Sequence, residues 1–229
     1  MNKVLLVLLA MSSFIFAEIQ KKYYDNGTLK SIIPLKNGIV EGIGKTYYKN
    51  GKLKDEIPFK NNKTEGISKT YYSNGKIKAL FTYKNGKENG ISKIYHSNGK
   101  IKGTSTYKNG KIEGINKYYN KKGKLFATAT YKNGKEKGER KRYYENGKVK
   151  EKKIFKNGKI EGIAKAYYSN GRIQAVFTYK NGKMEGISKY FNKKAQVNAK
   201  ILFENGYAIK GTYYHPSGRK IRNMNKTFF

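Results

Sequence analysis

Cysteine and tryptophan are absent from this 229-residue chain, histidine occurs only at His96 and His215, and aspartate only at Asp25 and Asp55. Each absence excludes a chemistry. Without cysteine there is no disulfide, no thiolate nucleophile and no lipid attachment through an N-terminal cysteine, and the redox compartment is left open. Two scattered histidines supply no base held by an orienting partner beside a nucleophile, so no catalytic residues are expected and the chain reads as a non-enzyme. His96 merely takes the place of the second tyrosine in a recurring pair. His and carboxylate residues nowhere cluster at ligand spacing, so neither a metal site nor a cofactor is expected. Acidic residues are also few, 15 against 50 Lys and Arg, for a formal net charge of +35. Only 37% of the chain is hydrophobic and no segment carries a helical period; a large buried core is not expected.

What is present is aromatic and repetitive. With 21 Tyr and 11 Phe the chain is too ring-rich for a disordered polybasic tail. The stretch Ile67-Ser68-Lys69-Thr70-Tyr71-Tyr72-Ser73-Asn74-Gly75-Lys76-Ile77-Lys78-Ala79-Leu80-Phe81-Thr82-Tyr83-Lys84-Asn85-Gly86 recurs at a period of 24 residues from Tyr23 to about Gly206. It reads as strand, Asn-Gly turn, strand, Asn-Gly turn, because Asn-Gly supplies the positive φ of tight hairpins. A period in this range signifies a repeat array. The predicted fold is all-β: an elongated, single-layer antiparallel β-meander of hairpin repeats.

Aligning the repeats on one another exposes columns. One is aliphatic, Leu29, Leu53, Ile77 and Ile101 among its members; a second, mostly aromatic, includes Phe59, Tyr83, Tyr107 and Tyr131. A third is aromatic throughout, with Tyr47, Tyr71, Tyr95, Tyr119, Tyr143 and Tyr167, and a fourth is cationic, with Lys45, Lys69, Lys93, Lys117, Lys141, Lys165 and Lys189. Placing all patterned positions on one face predicts Tyr71 opposite Ile77, Lys69 opposite Ala79, Ile67 opposite Phe81, and a three-residue turn with Gly75 left-handed. The same rule across the next turn predicts Phe81 opposite Ile91, with no net shear between repeats. Column lysines then stand two strand spacings apart, roughly 10 Å, each sharing a face with a tyrosine two residues on. Lysine stems pack on aromatic surface and ammonium groups contact rings, so these lysines and tyrosines are the candidate ligand- or partner-binding residues. Glu41, Glu65, Glu113, Glu161 and Glu185 form a further column, read as partly neutralising nearby lysines. The glycine-rich turns lack the Lys-Ser/Thr ending and helix context of a phosphate-cradling loop.

The ends differ from the middle. Asn2-Lys3 followed by an apolar run from Val4 to Phe16 and Ala17 is a signal-peptide pattern, too short for a membrane span. The expected organisation is a signal peptide, 1–17, an array of eight to nine repeats, 18–222, and a short basic tail, 223–229. No transmembrane span remains after cleavage, and the product is exported to the periplasm, the cell surface or the medium. Pro34 and Pro58, in the second strands of the first two repeats, are expected to blunt an edge. A charge of +35 attracts polyanions at long range. For an exported chain this points to a protein partner or an anionic lipid or polysaccharide, with nucleic acid bound only non-specifically. Lys69-type and Lys78-type positions place charge on both faces, which does not suit a lipid-facing barrel.

The recurring Tyr-Tyr-x-Asn-Gly-Lys-(Ile/Leu)-Lys followed by Tyr-Lys-Asn-Gly-Lys-x-Glu-Gly, with a third glycine at Gly42, Gly66, Gly90, Gly114, Gly138, Gly162 and Gly186, resembles the MORN repeat in its variant form. That form occurs in bacterial proteins often labelled YwqK-family antitoxins. The resemblance covers roughly residues 20–222. It implies a single-layer sheet with a groove along one face, used to bind lipids or proteins, and in YwqK-like systems the neutralisation of a partner toxin.

Overall fold

A computed structural model of the chain describes residues 17–225. The expected signal peptide, up to its last residue Ala17, and the final four residues of the basic tail lie outside the described residues. Within them, 23 strands form one antiparallel sheet and no helix is present. The first strand, Ala17–Tyr23, and the last, Lys220–Asn225, each pair on one side only, so the sheet is open.

Two kinds of turn build every repeat. Between Gly66–Tyr71 and Ile77–Lys84, the Gly75 N–H donates to the Tyr72 carbonyl and the Tyr72 N–H to the Lys76 carbonyl, both at 2.8 Å. Gly75 is left-handed at φ 84°, as the three-residue turn requires. The second turn is shorter than the expected one. Asn85 (φ 52°) and Gly86 (φ 77°) form a two-residue turn that sets Lys84 opposite Lys87, because consecutive positive φ values match the twist of the flanking strands. A bulge at Asn89–Gly90, with Gly90 at φ 114°, restores the ladder at Lys93 opposite Leu80. The third glycine of each repeat is therefore the bulge residue.

The expected pairing of Lys69 with Ala79 and Ile67 with Phe81 is incorrect. Tyr71 does face Ile77, but Lys78 is an extra residue, after which Thr70 faces Ala79, Lys69 faces Leu80 and Ser68 faces Phe81. One inserted residue moves every later side chain to the other face. The patterned columns are thereby divided between two faces. Ile67, Lys69, Tyr71 and Ile77 share an open face; Ser68, Thr70, Ala79, Phe81 and Tyr83 share a packed one. Across the longer ladder Leu80 faces Lys69 on one side and Lys93 on the other, so the columns run straight, without net shear, as expected.

All the buried residues lie on the packed face, among them Ser68, Ser92, Asn116, Ala79, Ala129 and Leu35. A single layer achieves this by laying large rings across small neighbours: a Cβ built on Gly44 would stand 2.9 Å from Cε2 of Phe59. Alternating large and small columns give the sheet a core without a second layer.

Pro34 and Pro58 do not blunt an edge, since both lie in strands paired on two sides. Each sits opposite the bulge, where its carbonyl accepts the N–H of Glu41 or Glu65 and no ladder bond from its own nitrogen is called for. The Pro34 ring packs against Gly42, whose φ of 105° favours glycine, and a Cβ built there would stand a tight 3.3 Å from Pro34 Cγ.

Candidate functional site

The seven candidate lysines form one line on the open face, each in the middle of its strand. Beside them runs a column that the sequence reading paired wrongly with the core: Ile19, Ile43, Ile67, Ile91, Ile115, Ile163 and Ile187 are all 55–59% exposed. Glu139 stands in this column where a further isoleucine would fall. The Gly-Ile-x-Lys recurrence was the available signal, but only the register reveals that these isoleucines have no covering layer.

Two of the lysines are engaged. Glu56 accepts a hydrogen bond from the Tyr71 hydroxyl at 2.9 Å, and the Lys69 ammonium lies 3.4 Å from the same carboxylate oxygen. The Tyr71 bond first, then Lys69, hold the Glu56 carboxyl below its ordinary value, while burial and the Glu56 bond push Tyr71 up to about 12. Glu139 is shared between Lys141 and Lys152; burial opposes its ionisation, but the two ammonium groups outweigh it and its pKa is lowered. Lys45 faces Glu56 from the other side and adds to its lowering without a close ion pair; among the described residues Lys93, Lys117, Lys165 and Lys189 have no carboxylate partner.

The candidate tyrosines line the same face. Tyr143 and Leu125, neighbours across one hairpin, line a shallow depression with Glu145 and Asn146. Contact between a column lysine and the tyrosine two residues on is not how the rings are used. Three cation–ring contacts instead join the second tyrosine of a pair to a lysine six residues later: Lys30 with Tyr24, Lys78 with Tyr72 and Lys150 with Tyr144, at 5.5–5.9 Å. That second tyrosine also ties repeats together. The Tyr48 hydroxyl donates to the Tyr71 carbonyl at 2.6 Å, Tyr72 to Tyr95 at 2.7 Å and Tyr168 to Phe191 at 2.7 Å. His96 places Nε2 2.9 Å from the Tyr119 carbonyl, substituting for the phenol.

The glutamate column has a sharper role than neutralising lysines. Glu41, Glu65, Glu113, Glu161 and Glu185 each accept the backbone N–H of the turn asparagine 20 residues on, at 2.6–3.0 Å. A left-handed asparagine leaves its N–H outside the ladder, and the carboxylate of the preceding repeat receives it.

The described residues thus define a repeat β-sheet protein with one face packed on itself and one left open. The MORN repeat variant matches residues 19–37, 40–61, 64–85, 88–109, 112–133, 136–157 and 160–181, and the chain belongs to this family. No curated protein matches the chain. Similar solved structures include accessory secretory protein 1, 2 and 3 of Streptococcus pneumoniae, at 16% identity and TM-score 0.29, with 43% of this chain and 18% of that one covered. A TcdB2-TccC3-Cdc42 structure is 11% identical at TM-score 0.24, covering 92% of this chain and 14% of that one. A porin-like protein from Bacteroides uniformis is 10% identical at TM-score 0.23, covering 84% and 86%. This chain spans less than a fifth of the length of the first two.

Proposed function

We propose that the chain is a non-enzymatic, exported binding module whose open face engages a protein partner or an anionic envelope surface. One observation carries this reading: isoleucine, lysine and tyrosine run in parallel columns along the face, with the isoleucines more than half exposed. Apolar side chains left uncovered in series beside unpaired ammonium groups suit a partner that is apolar and anionic together. A YwqK-type neutraliser of a partner toxin is the second reading, and the Tyr-Tyr-x-Asn-Gly pattern supports it.

Immobilised chain from Glu18 to Phe229, exposed to envelope fractions and culture proteins at low and moderate salt, tests the proposal. A single protein retained at moderate salt supports a dedicated partner and, if it is toxic alone, the antitoxin reading. Lipid or polysaccharide retention that fades with salt supports surface attachment. The variant Lys93→Glu/Lys117→Glu/Lys165→Glu reverses three unpaired column charges and is expected to abolish retention; undiminished retention would refute the role of the open face.

A further inference from the structure

The packed face departs from its own pattern at one place. In the column of Ile57, Phe81 and Phe177, the central repeats carry Ser105 and Ala129. In the columns of Ser68 and Thr70, one repeat carries Arg140 and Arg142, two of only five arginines in the chain. Three of these departures, Ala129, Arg140 and Arg142, come from neighbouring strands yet meet in space. They bound an open cavity of about 300 Å³ lined also by Tyr118, Phe126 and Tyr131. Where a sequence breaks its own repeat rule at several converging positions, function is the usual reason.

The lining is organised for a ligand with two parts. The Tyr118 and Phe126 rings are tilted against each other with centroids 6.3 Å apart, and buried Ala129 leaves the space a phenylalanine fills elsewhere. Arg140 is fixed: its guanidinium lies 4.5 Å from the Phe155 ring centre and donates to Glu136 Oε2 at 2.5 Å. Arg142 is exposed, and among the described residues nothing pairs with its guanidinium; Glu151, which faces it across the sheet, is taken by Lys153. Arg140 offsets Glu136 and Lys153 offsets Glu151, so the cavity retains one uncompensated positive charge, on Arg142. Two buried polar groups without partners pair with lining residues across the sheet but do not themselves line the cavity: the Asn116 side chain, opposite Ala129, and Glu136 Oε1, opposite Tyr131.

We propose that this cavity binds a small, largely planar apolar molecule bearing one carboxylate, its rings against Tyr118, Phe126 and Tyr131 and its carboxylate on the Arg142 guanidinium. A guanidinium fork matches a carboxylate through two parallel hydrogen bonds. A volume at the lower end of small-molecule sites, roughly 300–1,000 Å³, fits one or two fused rings. The site lies on the face opposite the lysine column and does not depend on the function proposed for that column.

The probe is 2-naphthoate, titrated calorimetrically into the Glu18–Phe229 chain at physiological salt, with neutral 2-naphthylmethanol as its isostere. Two variants borrow residues that other repeats already accommodate at the same positions: Ala129→Phe fills the cavity and Arg142→Thr removes the charge. The expected result is one naphthoate per chain, weakened at least about tenfold by either variant and by loss of the carboxylate, the size of one lost charge-assisted hydrogen bond. The Lys93→Glu/Lys117→Glu/Lys165→Glu variant is expected to bind as the native chain does. Equal affinity in Ala129→Phe or Arg142→Thr, equal affinity for the alcohol, or several naphthoates per chain lost with salt and with the triple variant would overturn the proposal. The last pattern would mark diffuse binding to a basic surface.

Discussion

At the scale of the residue, backbone conformation and local charge set the stability of each repeat. Ala195 occupies the turn position that glycine holds elsewhere, and its φ is 66°. An L side chain in the left-handed region costs roughly 1–2 kcal/mol, so Ala195→Gly is expected to stabilise the chain by about 1 kcal/mol. Chemical denaturation followed by circular dichroism would measure it, and a neutral or negative change would show that the turn relaxes around alanine. Glu56 and Tyr71 give a pH signature. Glu56 is lowered from 4.5, so its contribution is full above that value and is lost as pH falls through the lower folded value. Tyr71 is raised from 10.0 to about 12, so its contribution is full below 10.0 and is lost as pH rises toward 12. Glu56→Gln is therefore expected to flatten both limbs of the stability–pH profile. Unaltered limbs would show that the pair contributes nothing measurable to folding.

At the scale of the element, each hairpin is joined to the next by ties outside the ladder. Glu113 receives the Asn133 N–H at 2.7 Å, reaching from one repeat to the turn of the following one. Removing the carboxylate leaves that turn amide to water, so Glu113→Ala is expected to speed hydrogen exchange at Asn133 at least several-fold. The amide of Asn181, tied to Glu161 at 2.8 Å, serves as the unaffected control. Equal protection at Asn133 in both proteins would mean that the turn is held by its backbone alone. The repeat beginning at Lys87 carries Asn89 where this glutamate would stand, and the one beginning at Lys135 carries Lys137. Those two junctions lack the tie and are expected to open first.

At the scale of the whole molecule, the array is quasi-one-dimensional: each repeat touches its neighbours, and stability accumulates along the chain. A net charge of +35 opposes this accumulation, because like charges recur at every period on a sheet with little interior. Screening is strong above about 0.1 M salt, where the Debye length falls to roughly 10 Å, comparable with the spacing of the lysine column. Raising sodium chloride from about 10 mM to about 300 mM is accordingly expected to raise the melting temperature by several degrees. A fall would indicate that the few ion pairs, such as those of Glu139, outweigh the repulsion.

The sequence by itself determined the period, the turns and the membership of each column, because internal copies compare the same structural position many times. Asn-Gly pairs could be placed as turns from φ preference alone, and the left-handed Gly75 and the straight columns were correctly legible. Which face each column occupies was decided only by the tertiary structure. The bulge at Lys78 recurs in every period, so it leaves the 24-residue repeat intact while reversing the side on which residues emerge; the two residues inserted at Asn89–Gly90 leave that side unchanged. That reversal separates Lys69 from Ala79 and Phe81, uncovers the isoleucine column, and turns Pro34 from an edge residue into a bulge partner. The cavity at Arg142 was equally hidden, since Tyr118, Ala129 and Arg140 are unremarkable one at a time and become a site only where paired strands bring them to the same face. Alternation carries only parity, and a single extra residue in a strand is enough to invert it.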